Sequence, residues 1–591
     1  MSEKRHYTAS GKVTGIIANL ILVATEEPVS QNEICYIKTG NQELLGEVIK
    51  VQYKDIFVQC FESTRGLKVG NEVLFTGEML EITLGPGMLS KTFDGLQNDL
   101  NKFDTLFLER GLSSDALDFD SVWHFTPVVK KGKPVLAGDW LGETKEGKLT
   151  HRIMVPFKLE GSYIVAEIKE AGSYSLRDTI AILVDEQGKQ TDVKMWQRWP
   201  IKRTIKNYRE KVRPFAMLET GVRIIDSLNP IAEGGTGFIP GPFGTGKTVL
   251  QHAISKQAEA DVVIFAACGE RANEIVEIFT EFPKLDDPYS GGKLMERTIV
   301  IANTSNMPVA AREASVYTAM TIAEYFRNQG HKVLILADST SRWAQALREM
   351  SNRLEELPGP DAFPMDLTAV IANFYARAGY VYLNNGKSGS ITFLGTVSPS
   401  GGNLKEPVTE ATKKAARCFY ALSQPRADQK RYPAVDPAES YSKYLEYPEM
   451  QEYLARQVSG TWVDKIIKTK DILLRGREVR DQINILGDDG VPLEYHLRYW
   501  KSEVIDFVIL QQDAFDNIDA MTPIARQKYM LSLVLDIYDM EFDFDNFESV
   551  SAYFKRIISK LKQLNYTEFE GDNFKEILNE YKTIINEKRI A

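Results

Sequence analysis

The eight residues GPFGTGKT, Gly241 to Thr248, hold three glycines, a lysine and a threonine in the spacing G-x-x-x-x-G-K-[ST]. Glycines let a backbone wrap around phosphate groups, so that several N–H groups and the positive end of the following helix point at the anion. Lys247 then has the reach for β- and γ-phosphates, and the Thr248 hydroxyl suits Mg²⁺. Gly241, Pro242, Phe243, Gly244, Thr245, Gly246 and Val249 complete the candidate phosphate-binding stretch. The flanks agree with this reading. An apolar GFIP precedes the loop, and TVLQHAISKQAEA follows it with Leu250, Ala253, Ile254 and Gln257 on one helical face. The bland alternative is a Gly-rich turn that happens to contain a lysine.

Two further stretches carry acids at strand ends. KVLILAD, Lys332 to Asp338, is apolar until its last residue. In a P-loop protein such an acid holds Mg²⁺, usually through water, which makes Asp338 a metal candidate beside Thr248; as a plain turn residue it would do nothing. DVVIFAACGER runs from Asp261 to Arg271 between the P-loop helix and that strand. Glu270 is therefore expected at the same sheet edge as the phosphates, where a carboxylate orients and partly deprotonates an attacking water. Arg271 is its natural neighbour. The competing reading is a structural Glu270–Arg271 ion pair that closes the sheet.

The elements that must hold these residues follow from texture. Strands DVVIFAA, RTIVIAN, KVLILAD and GSITFLGTVSP alternate with helical segments between Phe215 and Tyr441, which predicts a parallel sheet covered on both faces. Upstream, KVTGIIANLILVAT, LLGEVIKV, DIFVQCFE and NEVLFTGEMLEITL are β-branched and aromatic, and a closed barrel would remove their edges. LGPGMLSKTFDGLQ breaks that pattern. A second β-rich stretch, Phe119 to Trp199, shows no catalytic constellation and reads as an insertion. After Ser442 apolar residues recur at helical spacing. The expected fold is multidomain α/β: barrel 1–82, junction 83–117, insertion 118–199, P-loop domain 200–441 and helical domain 442–591.

With 591 residues, 43% apolar and 26% charged, the chain is long enough for two to four domains. A net charge of −10 without a Lys/Arg block disfavours nucleic acid as a partner, and with it a hexameric translocase. Cys35, Cys60, Cys268 and Cys418 are far apart, so neither a disulfide framework nor a zinc site is indicated and a reducing, cytosolic setting is expected. MSEKRHYTAS lacks a signal-peptide core, and the longest apolar runs fall short of the ~20 residues that cross a bilayer.

In this order GPFGTGKT, GERANEIVEIFTEFP, LADSTSRWAQALRE and TVSPSGGNLKEPVTEAT resemble the catalytic A subunits of V-type (also called A-type) rotary ATPases, over essentially the whole chain. F-type β subunits share the Gly-Glu-Arg strand but are shorter and lack the long insertion; the non-catalytic B subunits lack an intact P-loop. The resemblance implies MgATP hydrolysis or synthesis coupled to a rotor and to H⁺ or Na⁺ transport, at the cytoplasmic face of a membrane. It makes Glu270 the catalytic carboxylate, Arg271 a γ-phosphate contact, and Tyr432 and Phe515 the aromatic residues around adenine. It implies an alternating ring with B subunits that supply an arginine, central and peripheral stalks, and a membrane sector. A nucleotide-binding subunit without turnover is the rival, and retention of Glu270 speaks against it.

Three departures stand out. Thr245 occupies a P-loop position that is Cys in some eukaryotic relatives, so a disulfide switch there is not expected. DAFPMDL replaces the more usual GYPAYL. The loop ILGDDGVPLEYH carries only Asp488, Asp489 and Glu494 as acids, which argues against a purely electrostatic account of torque. Replacing Lys247 by alanine is expected to abolish tight MgATP binding without unfolding the chain, since the loop lies outside any core. Unchanged binding in calorimetry would refute the phosphate assignment.

Overall fold

Residues 6–40, 42–103, 112–270, 280, 282–289, 291–304 and 307–590 are described by the computed structural model, with the side chains of 270 and 400 outside that description. Contacts divide the chain into two units, Met1–Val212 with Ala260–Gly395, and Arg213–Glu259 with Thr396–Ala591.

The first unit begins with a closed six-stranded antiparallel barrel in the order Ala9–Ile17, Leu20–Ala24, Asp55–Cys60, Gln42–Gln52, Glu33–Thr39, Glu72–Met79. Alternating residues such as Val13, Val23, Ile37, Val48, Val58 and Phe75 fill its interior. Glu33–Thr39 was not expected as a strand. The expected strand through Leu84 divides instead: Glu81–Leu84 leaves the barrel and pairs with Gln197–Pro200. The insertion forms two antiparallel four-stranded sheets, which hold the anticipated Tyr163–Ile168 and Ala181–Val184 strands.

A parallel sheet follows, in the spatial order Thr92–Phe93, Thr298–Thr304, Val262–Glu270, Lys332–Asp338, Ser388–Val397. Each strand is a near-continuous apolar run, as a sheet buried on both faces requires. The chain leaves Val262–Glu270 toward one side of the sheet and Lys332–Asp338 toward the other. The topological switch point therefore falls between these two neighbours, and ligands of doubly wound sheets bind at the carboxyl ends there. Helix Val309–Asn328, buried over almost its whole length, and helix Thr340–Arg353 pack on the sheet.

Buried charge ties the layers of this unit together. The Lys202 ammonium lies 2.9 Å from Glu47 of the barrel and 3.4 Å from Glu313 of helix Val309–Asn328. Burial pushes the Glu47 carboxyl up, while Lys202 pulls it back. His151 bridges Glu146 at 2.7 Å and Tyr325 at 2.8 Å, fastening the insertion to the same helix.

In the second unit Thr236–Pro240 runs parallel to Cys418–Phe419, which pairs antiparallel with Tyr441–Ser442. The remainder is helical: Trp462–Leu486, Leu493–Ile505, Ile524–Asp539, Phe547–Asn565 and Asp572–Ile585. Phe547–Asn565 shows why. Val550, Phe554, Ile557, Leu561 and Leu564 recur at helical spacing and are buried, and the Asn546 side chain caps the helix, its Oδ1 accepting from the Ser549 N–H at 2.8 Å. Among the described residues no helix is long and apolar enough to cross a membrane.

Lys202→Met should strand two buried carboxylates and lower stability by about 3–5 kcal/mol. Lys54→Met, at an exposed pair with Glu26, should change it by less than about 0.5 kcal/mol. Equal melting temperatures for the two variants would contradict this account.

Candidate functional site

The phosphate loop sits between strand Thr236–Pro240 and helix Lys247–Gln257 of the second unit. Gly246 caps the helix with φ +88°, a left-handed conformation that side-chain-bearing residues rarely adopt. The helix then begins at Lys247 and Thr248, so that the N–H groups of its first turn point toward the loop. Lys247 Nζ donates to the carbonyls of Gly241 at 2.8 Å and Pro242 at 3.1 Å, which holds the charge at the loop. Thr245 Oγ1 donates to the Pro242 carbonyl at 2.8 Å and stiffens the turn. Leu250, Ile254 and Gln257 are buried, anchoring the helix, while Ala253 of the expected face lies half-buried.

A cavity of about 510 Å³ opens from this loop. Gly244, Thr245, Gly246 and Val249 form one end, and Tyr432 and Phe515 stand among its walls. Tyr432 packs against Gly246, where an added Cβ would lie 3.8 Å from the ring. Phe515 does not sit in a helix: it lies in the loop before helix Ile524–Asp539, with 86% of its surface exposed. An aromatic left that bare on a cavity rim is a contact surface rather than core.

Two clamps hold these rings. Arg431, adjacent to Tyr432, makes a forked pair with Glu503 at 3.1 and 2.9 Å, and Arg426 makes another with Asp506 at 2.6 and 3.2 Å. Asp506 opens the π-helical turn Asp506–Leu510, a local widening that shifts the register of its carbonyls. Burial alone would raise the Asp506 carboxyl, but Arg426 and Arg431 outweigh it and hold the group below the usual carboxylate range. The second clamp is Arg223, 1% exposed, which donates to the Ile509 carbonyl at 3.1 Å, Thr522 Oγ1 at 3.0 Å, the Gln511 carbonyl and Asp519. Gln512 answers it, accepting from the Arg223 N–H at 2.8 Å while its own N–H donates to the Tyr432 carbonyl at 2.9 Å.

The two acids lie in the first unit. Val262–Glu270 and Lys332–Asp338 are hydrogen-bonded neighbours, with Ala267 opposite Asp338. Toward Thr298–Thr304 the register slips between Cys268 and Glu270, and the extra residue, Gly269, has φ +70°. Bulges of this kind gather near working sites. A Cβ on Gly269 would meet Arg312 at 2.9 Å and Arg342 at 3.0 Å, so two arginines flank the backbone just before Glu270. Asp338 is 5% exposed. The Glu270 side chain and Arg271 lie outside the described residues.

The sequence reading missed Arg223, Lys430, Gln512, Lys562 and Asn565, which shape or line the cavity from distant points of the chain. None belongs to a local motif, so only three-dimensional placement reveals them.

Residues 13–77 match the beta-barrel domain of the ATP synthase alpha/beta family, 114–202 its barrel-sandwich domain and 221–442 its nucleotide-binding domain. Fold and matches together define a nucleotide-binding subunit of that class. Similar proteins include the V-type ATP synthase alpha chain of Treponema denticola, 47% identical over 94% of this chain and 93% of that one. V-type ATP synthase alpha chain 1 of Treponema pallidum is 48% identical over 93% and 91%, and the alpha chain of Protochlamydia amoebophila 45% over 96% and 95%. The chain belongs to the family of V-type ATP synthase alpha chains. The assembled ATPase EscN of the enteropathogenic E. coli type III secretion system shares the fold, with a TM-score of 0.60 over 89% of this chain and 100% of that one at 20% identity.

Because Asp506 is held below its ordinary range, its contribution to stability is present above pH ~4 and disappears as pH falls through the depressed value. Asp506→Asn is expected to cost about 1.5–3 kcal/mol at pH 7, and the gap to the unaltered chain should narrow on acidification below pH ~4. A gap independent of pH in denaturant titrations would contradict the clamp.

Proposed function

We propose that the chain is the catalytic subunit of a V/A-type rotary ATPase and that its cavity is the nucleotide site. The single observation that carries the site assignment is one cavity that runs from the phosphate loop to Tyr432 and Phe515. Each end suits one end of ATP. N–H groups at the start of helix Lys247–Gln257, with the Lys247 ammonium, bind the phosphates. Tyr432 and Phe515 hold the adenine by its faces.

Glu270 orients the attacking water and draws off its proton, and Arg271 contacts the γ-phosphate. Thr248 and Asp338 offer a hydroxyl and a carboxylate, hard oxygen donors that fit Mg²⁺. When bound, Mg²⁺ neutralises charge on the β- and γ-phosphate oxygens.

Membership of the family places the chain in a multisubunit ATPase. Within it we assign an alternating ring with non-catalytic B subunits, whose arginine completes the site, joined to central and peripheral stalks and a membrane sector moving H⁺ or Na⁺ at the cytoplasmic face. The helical end is the lever that follows nucleotide state.

Glu270→Gln keeps side-chain size and hydrogen-bonding shape but removes the charge. In the reconstituted complex turnover should fall by at least about 10²-fold, with MgATP affinity and melting temperature retained. A lower melting temperature with preserved turnover per folded molecule would instead identify Glu270 as a structural partner of Arg271.

A further inference from the structure

The backbone that delivers Glu270 is gripped by one helix of the first unit. Gly269, the extra residue of the strand slip, has φ +70° and leaves no room for a side chain. A Cβ there would lie 2.9 Å from Arg312 Cδ, 3.1 Å from Arg312 Nε and 3.0 Å from Arg342 Cβ. Arg312 stands in the first turn of helix Val309–Asn328 and is buried. Three residues on, and so on the same helix face, Ser315 Oγ lies 3.8 Å from Cys268 Sγ. That face therefore holds both residues that precede Glu270. The same helix turn is braced elsewhere. A Cβ on Gly95 would collide with the Ala311 carbonyl oxygen, and the Gly95 carbonyl accepts from Thr318 Oγ1 at 2.8 Å. Glu313, next to Arg312, faces the buried Lys202 ammonium that also binds Glu47 of the barrel.

We propose that Arg312 and Gly269 are positioning residues for Glu270: the Arg312 stem, packed where a side chain of residue 269 would stand, locks the slip and so sets the direction in which Glu270 leaves the strand. The inference rests on the catalytic reading of Glu270 above and adds what aims it. A slip of this kind re-aims the residue beside it. A carboxylate that must meet an attacking water is aimed only as well as the backbone beneath it is held. Alanine at 269 is excluded twice, by the left-handed φ and by the arginine stem, so strand and helix fit each other at this one point. Arg312 acts through the backbone in this scheme and touches no reacting atom.

The test uses the reconstituted complex and reads kcat, KM for MgATP and melting temperature. Arg312→Ala and Gly269→Ala should each lower kcat about tenfold or more and change KM by less than about twofold, since a reacting group misplaced by ~1 Å costs up to about 10²-fold. In a Glu270→Gln background Arg312→Ala should cost less than about twofold further, because its effect passes through a carboxylate that is already gone. A further loss of about tenfold in that background would overturn the inference by showing that Arg312 acts independently of Glu270. A lower melting temperature with unchanged kcat per assembled complex in both single variants would overturn it too, reducing the contact to packing. Should Arg312→Ala not assemble, Gly269→Ala, alone and with Glu270→Gln, carries the same comparison. Full turnover in Glu270→Gln would remove the catalytic reading, and this inference with it. Loss of turnover there beside unchanged kcat in the other two would remove the positioning role alone.

Discussion

Arg223 is the interaction on which the cavity depends. Its buried guanidinium distributes donors among Ile509, Gln511, Asp519 and Thr522, and Gln512 closes the circuit through its backbone to Tyr432. The residues between Gln511 and Thr522 have no helix or strand to fix them. Without that hub their carbonyls would have to find water, and the loop that carries Phe515 would lose its shape. A charge buried this deeply survives only when nearly every donor is met, so the loop and the arginine specify each other. The result is a ring exposed at its tip on a mount held firmly at its base.

The acids of the first unit are organised by a different device. No single side chain places them: strand order does. Parallel neighbours whose connections depart in opposite directions leave a gap in the covering layer at their carboxyl ends. Glu270 and Asp338 end the two strands that flank that gap, and the slip at Gly269 alters the backbone immediately before Glu270. Arg312 and Arg342 lie against the same glycine, so its missing side chain is what lets the two arginines pack there.

What could be read in the sequence was local. The GPFGTGKT loop, the apolar runs of the parallel sheet and the helical period after Ser442 each announce themselves within a dozen residues, and the barrel, insertion, sheet and helical end are found in that order. Glu33–Thr39 escaped because it opens on a buried acid, Glu33, and its buried Ile34, Cys35 and Ile37 break the strict alternation that marks a strand. Glu81–Leu84 continues a strand in sequence but not in space, since its partner Gln197–Pro200 lies beyond the whole insertion. Tyr432 and Phe515 were marked by resemblance, and both line the cavity. Asn565 and Arg223 could not be marked. An asparagine at a helix end reads as solvated, and an arginine beside a turn reads as surface, until partners 57 and 286 residues away are known.

The closed barrel also has a temporal meaning. All its strand pairings are made within the first eighty residues, and closure leaves no edge waiting for a partner. It can therefore mature as the chain leaves the ribosome. Thr92–Phe93, only a little further on, meets Asp99 close by but has no parallel neighbour until Val300 and Ile301 have been made, about two hundred residues later. At the usual pace of translation that interval is on the order of ten seconds or more. The chain thus emerges with a finished head and an orphan strand behind it, and the parallel sheet is the stage at which nascent chains most need shielding from one another.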